Sequence, residues 1–170
     1  FDCHASLLDL PGILGTTLET IPAPANYITS SPELTDAWAE RLGPGEDFRI
    51  GLVWAGNPEH TNDANRSIDP GLLKPLIQIP GISIYNLQVD RDGEAKAVFG
   101  DAITDLAPEL KDFAETAAAI RNLDLVVSVD TSVAHLAGAL GHRVWTLLPF
   151  VPDWRWLFDR DDSPWYPSMR

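Results

Sequence analysis

Basic residues are scarce in this chain. Against 25 aspartates and glutamates stand 12 lysines and arginines, a formal net charge of -13 over 170 residues. Such a balance repels a nucleic-acid backbone or an anionic bilayer, so neither is expected as a partner. Any phosphate would have to be held locally, by helix ends and one or two cations. Cysteine occurs once, at Cys3, which excludes an internal disulfide framework and fits a reducing, cytoplasmic compartment. No apolar run reaches the roughly eighteen residues of a membrane span. The opening FDCHASLLDLP lacks Met and a basic-plus-apolar leader, so no signal peptide is expected. With its abrupt finish at SPWYPSMR, the chain reads as a piece of a longer protein. G-x-G-x-x-G and GKS/GKT are missing, which removes the usual dinucleotide and Walker-type sites and disfavours an NAD-type oxidoreductase. His4, His60, His135 and His142 are scattered, with no H-E-x-x-H and no paired cysteines, so no metal site is expected. A hydrolytic triad of Ser128, Asp130 and His135 is disfavoured by the lack of any G-x-S-x-G elbow.

What is present is an ordinary globular composition, 45% hydrophobic and 22% charged, long enough for one domain with a sizeable core. Residues 1–45 are irregular and proline-rich, with one helix capped by Ser31, opened by Pro32 and stopped at Gly43. From residue 46 onward strands and helices alternate. FRIGLVW reads as a buried strand, AGNPEHTNDANRSI as a polar loop without structure of its own. Asp69 and Pro70 start a helix that Pro75 should shorten or bend. ISIYNLQ is a second strand, and a short one is expected at 102–105. Asp112 and Glu115 form a capping-box-like start to FAETAAAIRNL. LDLVVSV and RVWTLLP are further strands. The alternation predicts an α/β fold, a Rossmann-like open parallel sheet with helices on both faces.

In such a sheet, ligands bind outside the carboxyl ends of the strands. VVSVDTSVAHLAGALG crosses that rim. Val133, Leu136, Ala137 and Leu140 form the sheet-facing stripe of its helix. His135 lies off the stripe, one turn after Thr131 and Ser132, and helical side chains tilt back toward the N-terminus. Asp130, Thr131, Ser132 and His135 thus converge where the helix dipole is positive, an arrangement suited to phosphate. Asp130 is equally a good N-cap, with Thr131 and Ser132 ordinary first-turn residues, so a capping role and an anion-binding role both stand. The polar loop reaches the same rim with Gly56 for close backbone approach, Asn57 as a polar contact and Arg66 as a cation. A loop of this length is more often functional than not. Gln88 also lies at a strand end. The Trp-rich PDWRWLFDRDDSPWYP offers Trp154, Trp156, Trp165 and Tyr166 either for stacking or, as favoured here, for packing over the sheet edge.

GLVWAGNPEHTNDANRSI, DLAPELKDFAETAAAIRNLDLVVSVDTSVAHLAGALGHRVWTLLPF and PDWRWLFDRDDSPWYPSMR resemble the C-terminal half of bacterial heptosyltransferase-like glycosyltransferases. More closely, they are similar to versions that follow tetratricopeptide repeats, distant relatives of O-GlcNAc transferases. The resemblance implies the second half of a GT-B fold. Residues 1–45 would then be the exit from an absent N-terminal acceptor domain plus a linker helix, and 46–170 the nucleotide-sugar-binding domain. It further implies that Gly56, Asn57, Arg66, Gln88, Asp130, Thr131, Ser132 and His135 meet the donor's diphosphate and sugar. Ile103, Asp105 and Leu106 would lie near the nucleoside, with no metal and no cofactor beyond the nucleotide-sugar substrate. The catalytic base would come from the absent domain, His4 being a weak local candidate, so this piece alone should bind donor without turning over. The alternative is a glycosyltransferase-like scaffold module of a repeat protein that has lost catalysis.

Overall fold

The computed structural model describes residues 3–170. Five parallel strands form one sheet: β1 (Phe48–Val53), β2 (Ile82–Asn86), β3 (Ile103–Asp105), β4 (Leu125–Val129) and β5 (Val144–Leu147), in the order β3-β2-β1-β4-β5. The β-branched runs IGLV and LVVSV supply the two central strands, buried on both faces as parallel strands must be. The helices are α1 (Leu10–Leu14), α2 (Pro32–Leu42), α3 (Asp63–Arg66), α4 (Glu94–Phe99), α5 (Phe113–Arg121) and α6 (Ser132–Ala139).

Two separate cores result, one on each face. Val53, Val126 and Val144 point to the face covered by α2, α5 and α6, with Trp38, Ile120, Leu136 and Leu140 packed there. Ile50, Leu52, Trp54 and Val127 point to the other, against α4 and the segment before β2 through Ala95, Phe99, Leu73 and Leu76. The predicted alternation and two-faced sheet are therefore what the chain adopts. Ser31 accepts from the Leu34 N–H and opens α2, and α2 ends at Gly43, as expected.

Four local expectations change. Residues Pro70–Gln78 form a 3₁₀ rather than an α-helix. Pro75 lacks the N–H that an α-turn needs, and its ring crowds the preceding turn. The loop after β1 contains the single turn α3, because Asp63 and Arg66 pair across it. Asp112 caps α5 through the Ala114 and Glu115 N–H groups. No reciprocal capping box forms, since the Glu115 carboxylate instead accepts the Trp38 indole N–H at 2.7 Å. Finally, the segment before β3 holds α4, whose N-cap Gly93 offers no side chain to signal a start.

The segment preceding α2 packs against α6: the N–H groups of Tyr27 and Ile28 both donate to the Ala139 carbonyl. At the other end of the chain, Ser168 and Arg170 exchange main-chain bonds with Val144 and Thr146, so the tail runs parallel to β5 and covers the sheet edge. No helix among the described residues is long and apolar enough to cross a membrane.

Candidate functional site

Strand order reverses direction between β1 and β4, and this switch point is where an open α/β sheet presents its crevice. The loop after β1 and the start of α6 after β4 flank it. Four cavities follow one another along the carboxyl rim. The largest, about 800 Å³, is lined by Gly56, Asn57, Arg66, Gln88, Arg91, Thr131 and Ser132 among others. It shares Arg66, Thr131 and Ser132 with a polar cavity of about 370 Å³ that also holds Asp130, His135 and Arg155. On the opposite side it shares Gln88 and Arg91 with a cavity beneath β2 and β3 that includes Asp105. The polar cavity in turn shares His135 and Arg155 with an aromatic hollow. The result is a row of adjoining hollows, a trough along the rim.

Asp130 does not cap α6. The N-cap is Thr131, extended at φ -137°, and no side chain accepts from the first-turn N–H groups. The reason lies far along the chain. The Trp156 indole N–H donates to Asp130 Oδ2 at 2.9 Å, and His135 Nε2 lies 3.4 Å from Oδ1, so the carboxylate is turned away from the helix axis. Burial pushes the Asp130 carboxyl up, but the bonds from His135 and Trp156 outweigh it and hold the group below the usual carboxylate range. Thr131 Oγ1 and Ser128 Oγ lie 3.0 Å apart, and Ser128 donates to the Val129 carbonyl. Ser128 is fully buried and has no bond to His135, so the triad arrangement does not form.

His135 sits between two tail aromatics. Its ring stacks on Trp156 at 5.2 Å and 18°, and its Nδ1 lies 3.0 Å from the Tyr166 hydroxyl. With an acceptor carboxylate at Nε2, the assigned tautomer carries its proton there, and Tyr166 donates to Nδ1. Burial, followed by the neighbouring Tyr27, raises the Tyr166 phenol well above its ordinary value and keeps it a donor. Tyr166 reaches this place because Gly138 has no side chain: a Cβ there would stand 2.6 Å from the Tyr166 ring.

Arg66 is three-quarters or more covered, its side chain paired with Asp63 at 3.3 Å, and its Nε is buried without a partner. Gly56 lines the largest cavity and is closely approached by this guanidinium: a Cβ there would fall 2.7 Å from Asp63 Oδ1 and from the Arg66 guanidinium carbon. Substituting valine at Gly56 should therefore displace Arg66. Anion affinity should fall about as far as on removing the arginine itself, whereas an unchanged binding isotherm would show that Arg66 relocates freely.

Other expected positions divide. Asn57 lines the trough, though its side chain accepts from the Glu59 N–H. Gln88 is buried, with its Oε1 accepting from the Trp54 and Ala55 N–H groups and its amide donating to the Val89 carbonyl, so it fastens the β1 terminus to β2. Ile103 and Leu106 are buried in the two cores and line none of the four cavities. Of the three proposed nucleoside contacts only Asp105 reaches the trough, and there it accepts from Asn86 at 2.7 Å. His4 is exposed and outside the residues that line the trough. Sequence reasoning missed Asp63, Arg155 and the site-building role of Trp156 and Tyr166. For Asp63 a signal existed: it stands one helical turn before Arg66.

Known proteins share this layout. Residues 89–149, which carry α4 to β5, match the family model described as glycosyltransferase family 9 (heptosyltransferase). The chain is 31% identical over 182 residues to protein FlbA of Caulobacter vibrioides, an alignment covering all of this chain and 29% of FlbA. E. coli ADP-heptose lps heptosyltransferase II superposes with a TM-score of 0.63 at 16% identity, over 91% of this chain and 48% of that enzyme. E. coli heptosyltransferase WaaC, solved with ADP-2-deoxy-2-fluoro heptose, gives 0.51 at 16% identity, over 80% of this chain and 43% of that one. This chain thus spans less than a third of the curated relative and about half of each enzyme. Its fold is the Rossmann-like α/β half of a GT-B fold, and its residues 89–149 match the family 9 model.

Proposed function

We propose that this chain is the donor-binding half of a glycosyltransferase that holds a nucleoside-diphosphate sugar by its diphosphate, with no metal ion required. One observation carries the reading: the uncapped N-terminus of α6 and the Arg66 side chain, whose Nε is buried without a partner, line the same cavity at the switch point. Free N–H donors, a helix dipole and a desolvated guanidinium form an anion locus in a chain whose net charge of -13 would otherwise repel phosphate. The nucleoside would lie toward Gln88, Arg91 and Asp105, and the sugar toward His135.

The reaction would be a displacement at the anomeric carbon. An acceptor oxygen forms the new C–O bond, the bond to the diphosphate breaks, and its electron pair leaves with the nucleoside diphosphate. The α6 N–H groups, the Thr131 and Ser132 hydroxyls and Arg66 would stabilise the charge developing on that leaving group. The base that takes the acceptor proton would come from a second domain. The bare apolar surface of Leu7, Leu8, Ile13 and Leu14, each at least 65% exposed, supports such a neighbour. A setting behind tetratricopeptide repeats, in a cytoplasmic protein, belongs to the same reading.

Calorimetric titration with UDP, ADP, GDP and CMP, with EDTA and with Mg²⁺, tests it. One nucleotide should bind equally well in both buffers, and Arg66→Ala should weaken it at least about tenfold, as expected for loss of a charge-assisted hydrogen bond. Binding that depends on Mg²⁺ would overturn the metal-free part. Absence of binding by all four, in the intact protein as well, would overturn the donor reading and leave a scaffold module.

A further inference from the structure

We propose that the aromatic hollow at the tail end of the trough is a subsite for a sugar ring. Its walls are Tyr27, Trp154, Trp165 and Tyr166, with Pro22 and Pro24 beneath and His135 and Arg155 on the side of the polar cavity. At about 460 Å³ it falls within the range of small-ligand sites and has their character, apolar surface with a few placed polar groups.

The rings are fixed before any ligand arrives. Trp165 donates its indole N–H to the Arg155 carbonyl at 2.9 Å and meets Trp154 edge-on, 6.1 Å between centroids. The Arg155 guanidinium lies 5.5 Å over Trp154 and is held from below by Asp153 at 3.2 Å. Tyr27 stacks against Tyr166 at 6.5 Å. Yet Trp154 remains 62% exposed and Tyr27 55% exposed, so intramolecular packing does not account for their faces. Rigid, half-bare aromatic faces cost little ordering on binding.

The occupant follows from position and chemistry. The hollow adjoins the anion locus through His135 and Arg155, while the larger cavity on the other side of that locus has room for a nucleoside. A pyranose presents a C–H face that stacks on an aromatic ring and hydroxyls around its rim. Those hydroxyls would meet Arg155 and the phenolic tips of Tyr27 and Tyr166, each of which pairs an apolar body with a polar end. The phosphate half of this arrangement rests on the donor-binding reading; the aromatic half stands on its own residues.

Resolved NMR signals of the six indole N–H groups and of the Ser132 and Val133 amides separate the two. The probes are glucose, galactose, mannose and N-acetylglucosamine as methyl glycosides, the four nucleotides above, and the UDP-, ADP- and GDP-sugars and CMP-sugars carrying such rings. A sugar-bearing probe should shift Trp154 and Trp165 and leave Trp38 and Trp54, whose indoles are tied to Glu115 and Glu94, unmoved. Shifts from nucleotide sugars alone assign the donor's sugar, and shifts from glycosides assign an acceptor saccharide; either supports the subsite. Trp154→Ala, at an exposed position, should lower affinity for that probe about tenfold while free nucleotide binds within about twofold of wild type. If nucleotides move Ser132 and Val133 but no sugar moves Trp154 or Trp165, the subsite is overturned and the donor reading survives. If free nucleotides move the two indoles as strongly as nucleotide sugars do, a base occupies the hollow and the proposal is equally overturned. Indole shifts from sugars without amide shifts from any nucleotide would support the subsite and remove the donor reading.

Discussion

Replacing Trp156 with alanine is expected to cost about 3–5 kcal/mol of stability and to weaken nucleotide binding together with it. Trp156 is 4% exposed, lies in the core on the α6 face, stacks on His135 and donates to Asp130. Truncation leaves a cavity and, at the same moment, takes a donor from a buried carboxylate. Two variants divide these effects. Trp156→Phe keeps a buried aromatic ring but loses the indole N–H and the volume of the second ring, so it should cost about 1–3 kcal/mol, less than the truncation to alanine. It should also raise the Asp130 carboxyl, whose lowered state depends in part on this bond. A folded-state value below the unfolded one contributes stability at neutral pH that disappears as pH falls through the folded value. The fall in stability between neutral and acid pH should therefore be smaller in Trp156→Phe than in the wild type, because less of that contribution is there to lose. Urea midpoints at pH 7 and across the acid range measure both quantities. A Trp156→Ala loss under about 1 kcal/mol would mean that the tail can leave the site without consequence.

His142 should make the protein acid-sensitive in a different window. Burial, then the nearby Arg121, and finally Arg143 lower its imidazole to about 4, against a smaller upward pull from Asp124. Its Nε2 is buried without a partner. Above about pH 6.5 neither folded nor unfolded chain carries this proton. Between there and about 4 the unfolded chain takes it up and the folded one does not, so stability declines as pH falls. Below about 4 both are protonated and the deficit is constant, on the order of 3 kcal/mol. His142→Gln removes the titration. Its urea midpoint should fall less than the wild-type midpoint between pH 7 and pH 4.5, and parallel declines in the two proteins would refute the assignment.

Much of the framework was legible because its signals are local. Ser31, Pro32 and Gly43 bracket α2, Asp112 opens α5, and the runs in β1 and β4 belong to strands buried on both faces. The rim residues Thr131, Ser132 and Arg66 also come together as the strand-then-loop pattern implies. What local pattern did not reveal depends on distant partners. Asp130 reads as a cap until Trp156, 26 residues later, takes its oxygen. Nothing in the sequence around Gly56 reveals that the Arg66 guanidinium packs against it. Gln88 and Leu106 sit at the rim in sequence, yet one is spent on backbone amides and the other on the core. The tail's packing over the sheet edge was legible. Its aromatic grip on His135 was not, because nothing in the spacing of Trp156 and Tyr166 names the helix they meet.

Helix α6 joins two neighbourhoods. Its first turn borders the largest of the four cavities, while Ala139 at its last turn receives both main-chain bonds from Tyr27 and Ile28. Eight residues of α-helix make a strut about 12 Å long, too short to bend appreciably. Movement at either end is therefore inherited by the other as translation or tilt rather than absorbed between them. The segment before α2 is fastened to the far end of the helix whose first turn lines the largest of the four cavities, so a pull on that segment and a change in that cavity act on one lever.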